Sequence, residues 1–426
     1  MQRYPPALGG SEAYFARLSS YLVEAGDQVT VHTTNAVDLE AFWSSRGKTL
    51  RAGKRNEEGV QVHRHALLRL PEHRRVLKLL SFVPIKPWQC LTQSCNPIVP
   101  TLWSESGNAE RRFDIVHASA FPYGFPLYCG KRLAQRLGVP FVVTPFLHLG
   151  DPDAPLDRTR RAYTSPALLS LLHAADAIFT QTTVERDALL NRGFPAEKVH
   201  LQGMGVDYAS CQGGNRVAAR ALWGVQPHEV VVGHLANNSI AKGSVDLLRA
   251  AQRAWSAGSR FHLVLAGPEM PNFRSFWKNY SCANQVKRLG VLSAEEKKDF
   301  FAGIDLFALP SRSDSFGLVF LEAWANGIPN IAYRAGGVAG VIQHEKDGLL
   351  IKCGDIQGLA EAIMRLVANE ALGGQLGRHG QTRLGKEFRW EDKLRMVRGV
   401  YESLHKGGGW QLSDHAKMLP KTLAAR

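Results

Sequence analysis

Two doubly wound α/β domains are predicted from three observations. Apolar, β-branched runs recur along the whole chain, segments of helical periodicity stand between them, and one Gly-rich polar stretch interrupts the pattern near the middle. At 426 residues the chain can bury a core in each domain. Its 45% hydrophobic and 21% charged residues exclude a disordered chain. No apolar run approaches the ~18 residues that would span a bilayer, and the opening residues do not read as a signal peptide, so a cytosolic protein is expected. Cys90 and Cys95 have no paired His or CxxC to complete a zinc site, and the six cysteines are expected to be free thiols.

The first domain spans 1–208. Phe15, Leu18, Tyr21, Leu22 and Ala25 recur at helical spacing in 9–27, and strands follow in "QVTVHTT" (28–34), "DIVHA" (114–118), "PFVVTP" (140–145), "AIFTQT" (177–182) and "KVHLQG" (198–203). A linker is expected near 204–222, around "SCQGGNR". The second domain, 209–388, has strands at "EVVVGHL" (229–235), "FHLVLAG" (261–267), "DLFALP" (305–310), "PNIAY" (329–333) and "GLLI" (348–351). Residues 389–426 are expected to form a helix that crosses back to the first domain, then a basic tail.

The net charge is +14, and residues 46–88 concentrate it, with eleven Lys or Arg against Glu57, Glu58 and Glu72. Such a surface attracts phosphates. Within that segment "HRRVLKLLSFVPIKPW" (73–88) places Val76, Leu79, Leu80 and Val83 on one helical face, with Arg74, Arg75 and Lys78 off it. It reads either as a surface helix packed on the sheet or as an interfacial helix on anionic lipid.

In doubly wound sheets ligands bind beyond the carboxyl ends of the strands. "DLFALP" is followed by the loop "SRSDS" and a helix expected from Ser315 or Phe316 to Gly327. Phe316, Gly317 and Leu318 then form a first turn whose unpartnered N–H groups favour an anion, and Gly317 permits close approach. Asp314 and Glu322 stand eight positions apart, about 12 Å of helix, too far for a glycosidase carboxylate pair. They read as grips on two ends of one long ligand, or as a helix cap and an ordinary helix residue. Gly9 and Gly10 open the first helix; Lys242 precedes another, where a cation calls for an anion beside it; His148 lies in the loop after "FVVTP".

Asp314, "FGLV" and "LEAWANGIP", with "PPALGGSE", "TPFLH", "GMGVD", "AKGSVDLLRA", "GVLSAEEKKDFF" and "AGGVAGVIQHEKDGLLI", resemble the retaining glycosyltransferases of the GT-B fold, family 4. The resemblance implies two Rossmann-like domains facing across a cleft, an acceptor-side first domain and a nucleotide-sugar-binding second one. It implies that Glu322 binds the donor ribose, that Asp314 and His148 lie at the reacting sugar, and that Gly10, Lys242, Phe316, Gly317, Leu318 and Val319 meet the donor. The family has Glu where this chain has Asp314. Its Arg upstream of the lysine is replaced by His234, Asn237 and Asn238, so the diphosphate rests on Lys242 and the helix start.

A sugar would pass from a nucleotide-sugar donor to a saccharide, lipid-linked or small-molecule acceptor, the leaving phosphate taking the acceptor's proton. Neither cofactor nor metal is expected, although "DPD" (151–153) matches the short DxD metal motif of the other large glycosyltransferase fold. The family's first, central strand is missing before Pro5, which suggests a misplaced start or a fragment. A non-catalytic nucleotide-sugar binder or inactive truncated fragment therefore stays as the alternative. A dinucleotide oxidoreductase is set aside for lack of GxGxxG after a strand, and a nucleic-acid partner for lack of a recognisable motif.

Overall fold

The computed structural model describes residues 1–108, 113–154 and 156–407, and the chain divides into two compact units. Unit 1 takes Met1–Leu147, Arg160–Gln202 and the chain from Glu391; unit 2 takes His148–Thr159 and Gly203–Trp390. The expected basic tail lies outside the described residues from 408 onward.

Unit 1 holds two sheets. β1 (Thr30–Thr34), β2 (Gly53–Glu57) and β3 (Val60–His65) form one, in the order β1-β3-β2. β4 (Val116–Ala118), β5 (Phe141–Val143), β6 (Ala177–Thr180) and β7 (Val199–Leu201) form a parallel sheet in chain order. Every residue of β5 and β6 is buried, as expected for strands covered on both faces. The β2–β3 hairpin is absent from the sequence reading because β2, Gly-Lys-Arg-Asn-Glu, is exposed and polar and carries no apolar alternation. Its two-residue turn, Glu58-Gly59, has positive φ at both positions (53° and 86°), and Asn56 Oδ1 accepts from Gly59 N–H at 2.9 Å.

Among the described residues no strand joins the edge of β1 to β4, where the expected central strand would run. Met1–Tyr4 pass there without strand structure. The Met1 amine donates to His32 O (2.8 Å), Thr34 Oγ1 to Gln2 O (2.6 Å), and Ala120 N–H to Gln2 Oε1 (3.1 Å). The single helix expected over 73–88 is instead two, His73–Leu80 and Lys86–Leu91, since Pro84 lacks the N–H that would carry the first onward. His73 and Leu77 turn inward, whereas Leu79, Leu80 and Val83, the expected buried face, are exposed. The helix Trp390–His405 packs in unit 1 through Arg398 on Asp27 (2.8 Å) and Tyr401 on His117, whose Nε2 meets Thr144 Oγ1 at 2.8 Å.

Unit 2 is built on one six-stranded, all-parallel sheet: β8 (Val231–Leu235), β9 (His262–Ala266), β10 (Val286–Gly290), β11 (Leu306–Leu309), β12 (Asn330–Tyr333) and β13 (Gly348–Ile351), ordered β10-β9-β8-β11-β12-β13. β10 is a further strand missing from the sequence reading, for the reason that hid β2: an edge strand reading Val-Lys-Arg-Leu-Gly. The order reverses between β8 and β11, so the loops leaving these neighbours diverge and open a crevice at their carboxyl ends. Buried His234 ties β8 across that point, donating from Nδ1 to Ala308 O (2.8 Å) and accepting at Nε2 from Ser244 Oγ (2.8 Å). The helix Glu370–Glu387 crosses beneath the helix Leu318–Ala325 with its glycines at the contact. A Cβ on Gly377 would stand 1.9 Å from Gly327 O, and one on Gly380 would stand 2.1 Å from the Trp324 ring.

Gly377→Ala is therefore expected to cost about 1–3 kcal/mol by overpacking. Gly385→Ala, on the same helix with nothing near its would-be Cβ, should instead gain about 0.5–1 kcal/mol from helix propensity. Thermal unfolding of the two variants checks this; equal effects would show that the crossing tolerates a methyl. Burial also lowers His117 to about 3 and His234 to about 4. Unfolded, both return to about 6.5, so the unfolded chain binds more protons below that pH and stability falls as pH drops from about 6.5 toward 4. Urea midpoints measured from pH 7.5 to 5 should decline, and His234→Gln should make that decline shallower by up to about 1 kcal/mol per pH unit. An unchanged slope in the variant would mean that His234 already carries its proton in the native state.

Candidate functional site

The loops after β8 and β11 are held together by their backbones. Arg312 N–H donates to Ala241 O at 2.9 Å, and Gly243 (φ 73°) lies so close to the other loop that a Cβ would stand 1.8 Å from Pro310 O. Gly243 caps the helix Ser244–Ser256, so Lys242 stands just ahead of that N-terminus. Its ammonium does find an anion: Lys242 Nζ donates to Asp314 Oδ1 at 2.8 Å. Arg312, two residues before Asp314, turns away to buried Asp246 (2.6 Å).

Two further segments close around Asp314. After β12, Gly337 N–H donates to Asp314 O (2.7 Å), and a Cβ on Gly336 would stand 2.2 Å from that same oxygen. Gly150 accepts from Gly336 N–H (2.7 Å) and donates to Ser313 Oγ (3.3 Å), which anchors the segment His148–Thr159 within unit 2. The half-buried His148 ring bonds to the backbone of Ser313. Burial lowers His148 to about 4; the Asp314 carboxylate opposes that shift and Lys242 adds to it, so the ring is neutral at pH 7. For Asp314, burial favours the protonated form, but the charge of Lys242, that of His148 once acid protonates its ring, and the hydrogen bonds of Lys242 and Ser311 prevail and hold its carboxyl below the usual value.

The helix expected from Ser315 or Phe316 begins at Leu318, because Gly317 is its left-handed cap (φ 86°). Phe316 and Gly317 therefore precede the first turn. Phe316 is buried against Phe388, with ring centroids 6.0 Å apart. Leu318 and Val319 are half-buried, and no side chain caps the first-turn N–H groups. The expected 12 Å of helical rise between Asp314 and Glu322 does not hold, since only 318–322 of that stretch is helix. Glu322 Oε1 accepts from Lys297 Nζ at 2.6 Å.

Both carboxylates are only 13% exposed, and each has one lysine-bound oxygen. Their second oxygens, Asp314 Oδ2 and Glu322 Oε2, are buried with no well-formed hydrogen bond among the described residues, the Ser311 hydroxyl beside Asp314 being the nearest to one. Each such acceptor costs about 1–3 kcal/mol, more when charged, unless a donor is brought to it. Hydroxyl groups are donors of that kind.

Unit 2 thus brings Lys242, His148, Asp314 and the helix start at Leu318 together, while Gly10 belongs to unit 1, exposed at the first position of the helix Gly10–Glu24. Sequence reasoning missed Lys297 and the pair Gly336-Gly337. The capping box of Ser293 and Glu296 fixes the register of the helix that carries Lys297, and a double glycine just after a strand is itself a sign of close backbone approach. Of the "DPD" carboxylates, that of Asp151 serves a turn, its Oδ1 accepting from Asp153 N–H at 3.0 Å, and neither belongs to a metal-sized cluster among the described residues.

Comparison with known proteins bears on the family and the fold. The family model described as glycosyl transferases group 1 matches residues 219–383, and that of the glycosyl transferase 4-like domain matches 9–205, so together they take in most of the chain. A D-inositol 3-phosphate glycosyltransferase of Rhodococcus opacus is 28% identical over 321 residues, 70% of this chain and 69% of that protein. Among solved structures, sucrose-phosphate synthase from Thermosynechococcus elongatus is similar with a TM-score of 0.70 at 20% identity, covering 96% of each chain. Anabaena Alr3699/HepE in complex with UDP and glucose also gives 0.70, at 18% identity over 95% of this chain and 98% of that one. With an all-parallel sheet whose switch-point loops carry Lys242 and Asp314, the chain belongs to the glycosyl transferases group 1 family and is a glycosyltransferase of the GT-B fold.

Proposed function

We propose that the chain transfers a sugar from a nucleotide-sugar donor to a hydroxyl-bearing acceptor with retention of configuration, the donor binding in unit 2. The observation that carries this reading is the pair of half-satisfied carboxylates, Asp314 and Glu322, each held by a lysine with one buried oxygen left for a donor group. Glu322 Oε2 takes a ribose hydroxyl, and Asp314 Oδ2 takes a hydroxyl of the transferred sugar. The diphosphate lies between them, on Lys242 and the first-turn N–H groups of Leu318 and Val319, where helix polarity favours an anion. Gly317, having no side chain, lets the phosphate reach those groups.

The neutral His148 ring offers a hydrogen bond beside Asp314 without adding charge. The chain's main task is then to stabilise the departing diphosphate electrostatically, while that phosphate accepts the proton of the attacking hydroxyl. The positive charge comes from Lys242 and the helix terminus, so this reading routes no step through a metal. Saccharide, lipid-linked and small-molecule acceptors all present the hydroxyl required.

A second reading, peripheral contact with anionic membrane, is favoured by the segment after residue 73. Leu79 (68%), Phe82 (71%) and Ile85 (56%) are exposed beside the cations Arg74, Arg75, Lys78 and Lys86, an apolar tip within a basic collar that suits an anionic bilayer surface. No described helix is long and apolar enough to cross a membrane.

Thermal-shift screening against UDP, GDP and ADP, and then their sugars, identifies the donor. Release of nucleoside diphosphate in the presence of acceptors separates transfer from the binding-only alternative. Glu322→Ala should lower donor affinity about 10- to 100-fold in calorimetry, the worth of a hydrogen bond to a charged group, with the fold intact. Lys242→Ala should weaken nucleoside diphosphate more than nucleoside; equal losses would remove it from the phosphate site. For the membrane reading, the chain should co-sediment with phosphatidylglycerol vesicles and lose that binding in high salt or on Phe82→Ser with Ile85→Ser. Equal binding to neutral phosphatidylcholine vesicles would argue against it.

A further inference from the structure

We propose that His32, His65 and Glu105 in unit 1 form a binding site for a divalent transition-metal cation of the zinc class, with His63 beside it as a further ligand. The site follows from strand register. β1 and β3 pair in parallel with His32 opposite His63, and His65, two residues on, projects from the same face. The helix Pro100–Gly107 lies over that face and presents Glu105 and, one turn earlier, Thr101.

The three ligand atoms already form a metal-sized triangle. His32 Nδ1 stands 3.1 Å from His65 Nε2 and 3.6 Å from Glu105 Oε2, and His65 Nε2 stands 4.0 Å from that oxygen. A triangle with these edges has a circumradius of about 2.1 Å, the length of a zinc–imidazole or zinc–carboxylate bond. An ion near its centre would be within bonding distance of all three atoms and would replace the His32–His65 hydrogen bond, the rings turning their lone pairs toward it. His65 Nδ1 meets Thr101 Oγ1 at 3.0 Å, the outer hydrogen bond that typically orients a ligating imidazole and leaves its other nitrogen for the metal.

His63 stands with Nδ1 3.8 Å from Glu105 Oε2 and its ring edge-on to His32, centroids 4.7 Å apart, so a side-chain rotation or a water molecule completes four-coordination. Such an ion would pin the helix Pro100–Gly107 to the three-stranded sheet. None of these residues has a role in the transfer reaction proposed above. Without a metal, the same geometry is a histidine pair sharing one proton.

The test uses the full chain without an affinity tag, stripped with chelator and titrated with zinc chloride by calorimetry, then with cobalt(II) by visible absorption. One equivalent per chain is expected, with the d–d bands of a low-symmetry cobalt site and a rise in melting temperature on zinc addition. His65→Ala and Glu105→Gln should each lower zinc affinity about 100-fold or more, beyond the loss typical of an outer-shell partner. Asp151→Asn, in the "DPD" turn, should change nothing. Glu105 is 39% exposed, and its isosteric Gln variant keeps the test valid where His65→Ala fails to fold. No stoichiometric uptake, or equal uptake by the wild type and Glu105→Gln, would overturn the proposal.

Discussion

The close approach of two backbones sets the rest of the unit 2 site. The loops after β8 and β11 can touch only because Gly243 has no side chain and a positive φ, so that its Cα packs on Pro310 O. That contact, with the Arg312–Ala241 hydrogen bond, brings Lys242 within 2.8 Å of Asp314. The same reversal of strand order creates the crevice and supplies the charges that line it. His234 ties β8 to β11 through the Ala308 carbonyl and to the helix that follows Lys242 through the Ser244 hydroxyl, so the loops rest on a braced base.

Each carboxylate at this site is half satisfied, and that balance is what makes it useful. A wholly unpaired buried carboxylate would take up a proton, whereas one saturated with donors would have nothing to offer a ligand. Lys242 and Lys297 keep Asp314 and Glu322 within a structure that buries them, yet each uses a single oxygen. The unmet oxygens carry a cost of the kind that hydroxyls of the proposed donor would relieve. The lysine pairing also ranks the two charges at the crevice: Asp314 shares its lysine with the proposed diphosphate, whereas Glu322 has Lys297 for itself.

What was legible in the sequence follows the physics of burial. β5, β6, β11 and β12 are buried along their whole length and appear as apolar runs, so the doubly wound fold and the loop carrying Asp314 could be read directly. β2 and β10 are edge strands whose side chains face water, and no periodicity marks them. The start of the helix at Leu318 lies two or three residues beyond the expected one because Gly317 was read for its small size and not for its left-handed φ. Lys297 was invisible as a partner of Glu322 because only tertiary packing joins positions 25 residues apart. The histidines of "VHRH" alternate on one face of a strand, but with no strand recognised there, neither their shared face nor their pairing with His32 could be inferred.

Unit 1 depends on side chains where unit 2 depends on a ladder. In unit 2 one continuous set of backbone hydrogen bonds runs from β10 to β13, and each strand is braced by its neighbours. In unit 1 the ladder of the described residues is interrupted between β1 and β4, and that boundary is bridged by single groups: the Gln2 carboxamide to Ala120, and Thr34 to the Gln2 carbonyl. The helix Trp390–His405 adds two more fixings, Arg398 on Asp27 beside β1 and Tyr401 on His117 of β4, so one helix grips elements on both sides of the interruption. Side-chain bridges of this kind are each worth about 1 kcal/mol and are lost singly, whereas ladder bonds are lost together. Local opening in unit 1 should therefore begin at the β1–β4 boundary, and an ion held by His32, His65 and Glu105 would act on the β1 side of it, where the backbone supplies least.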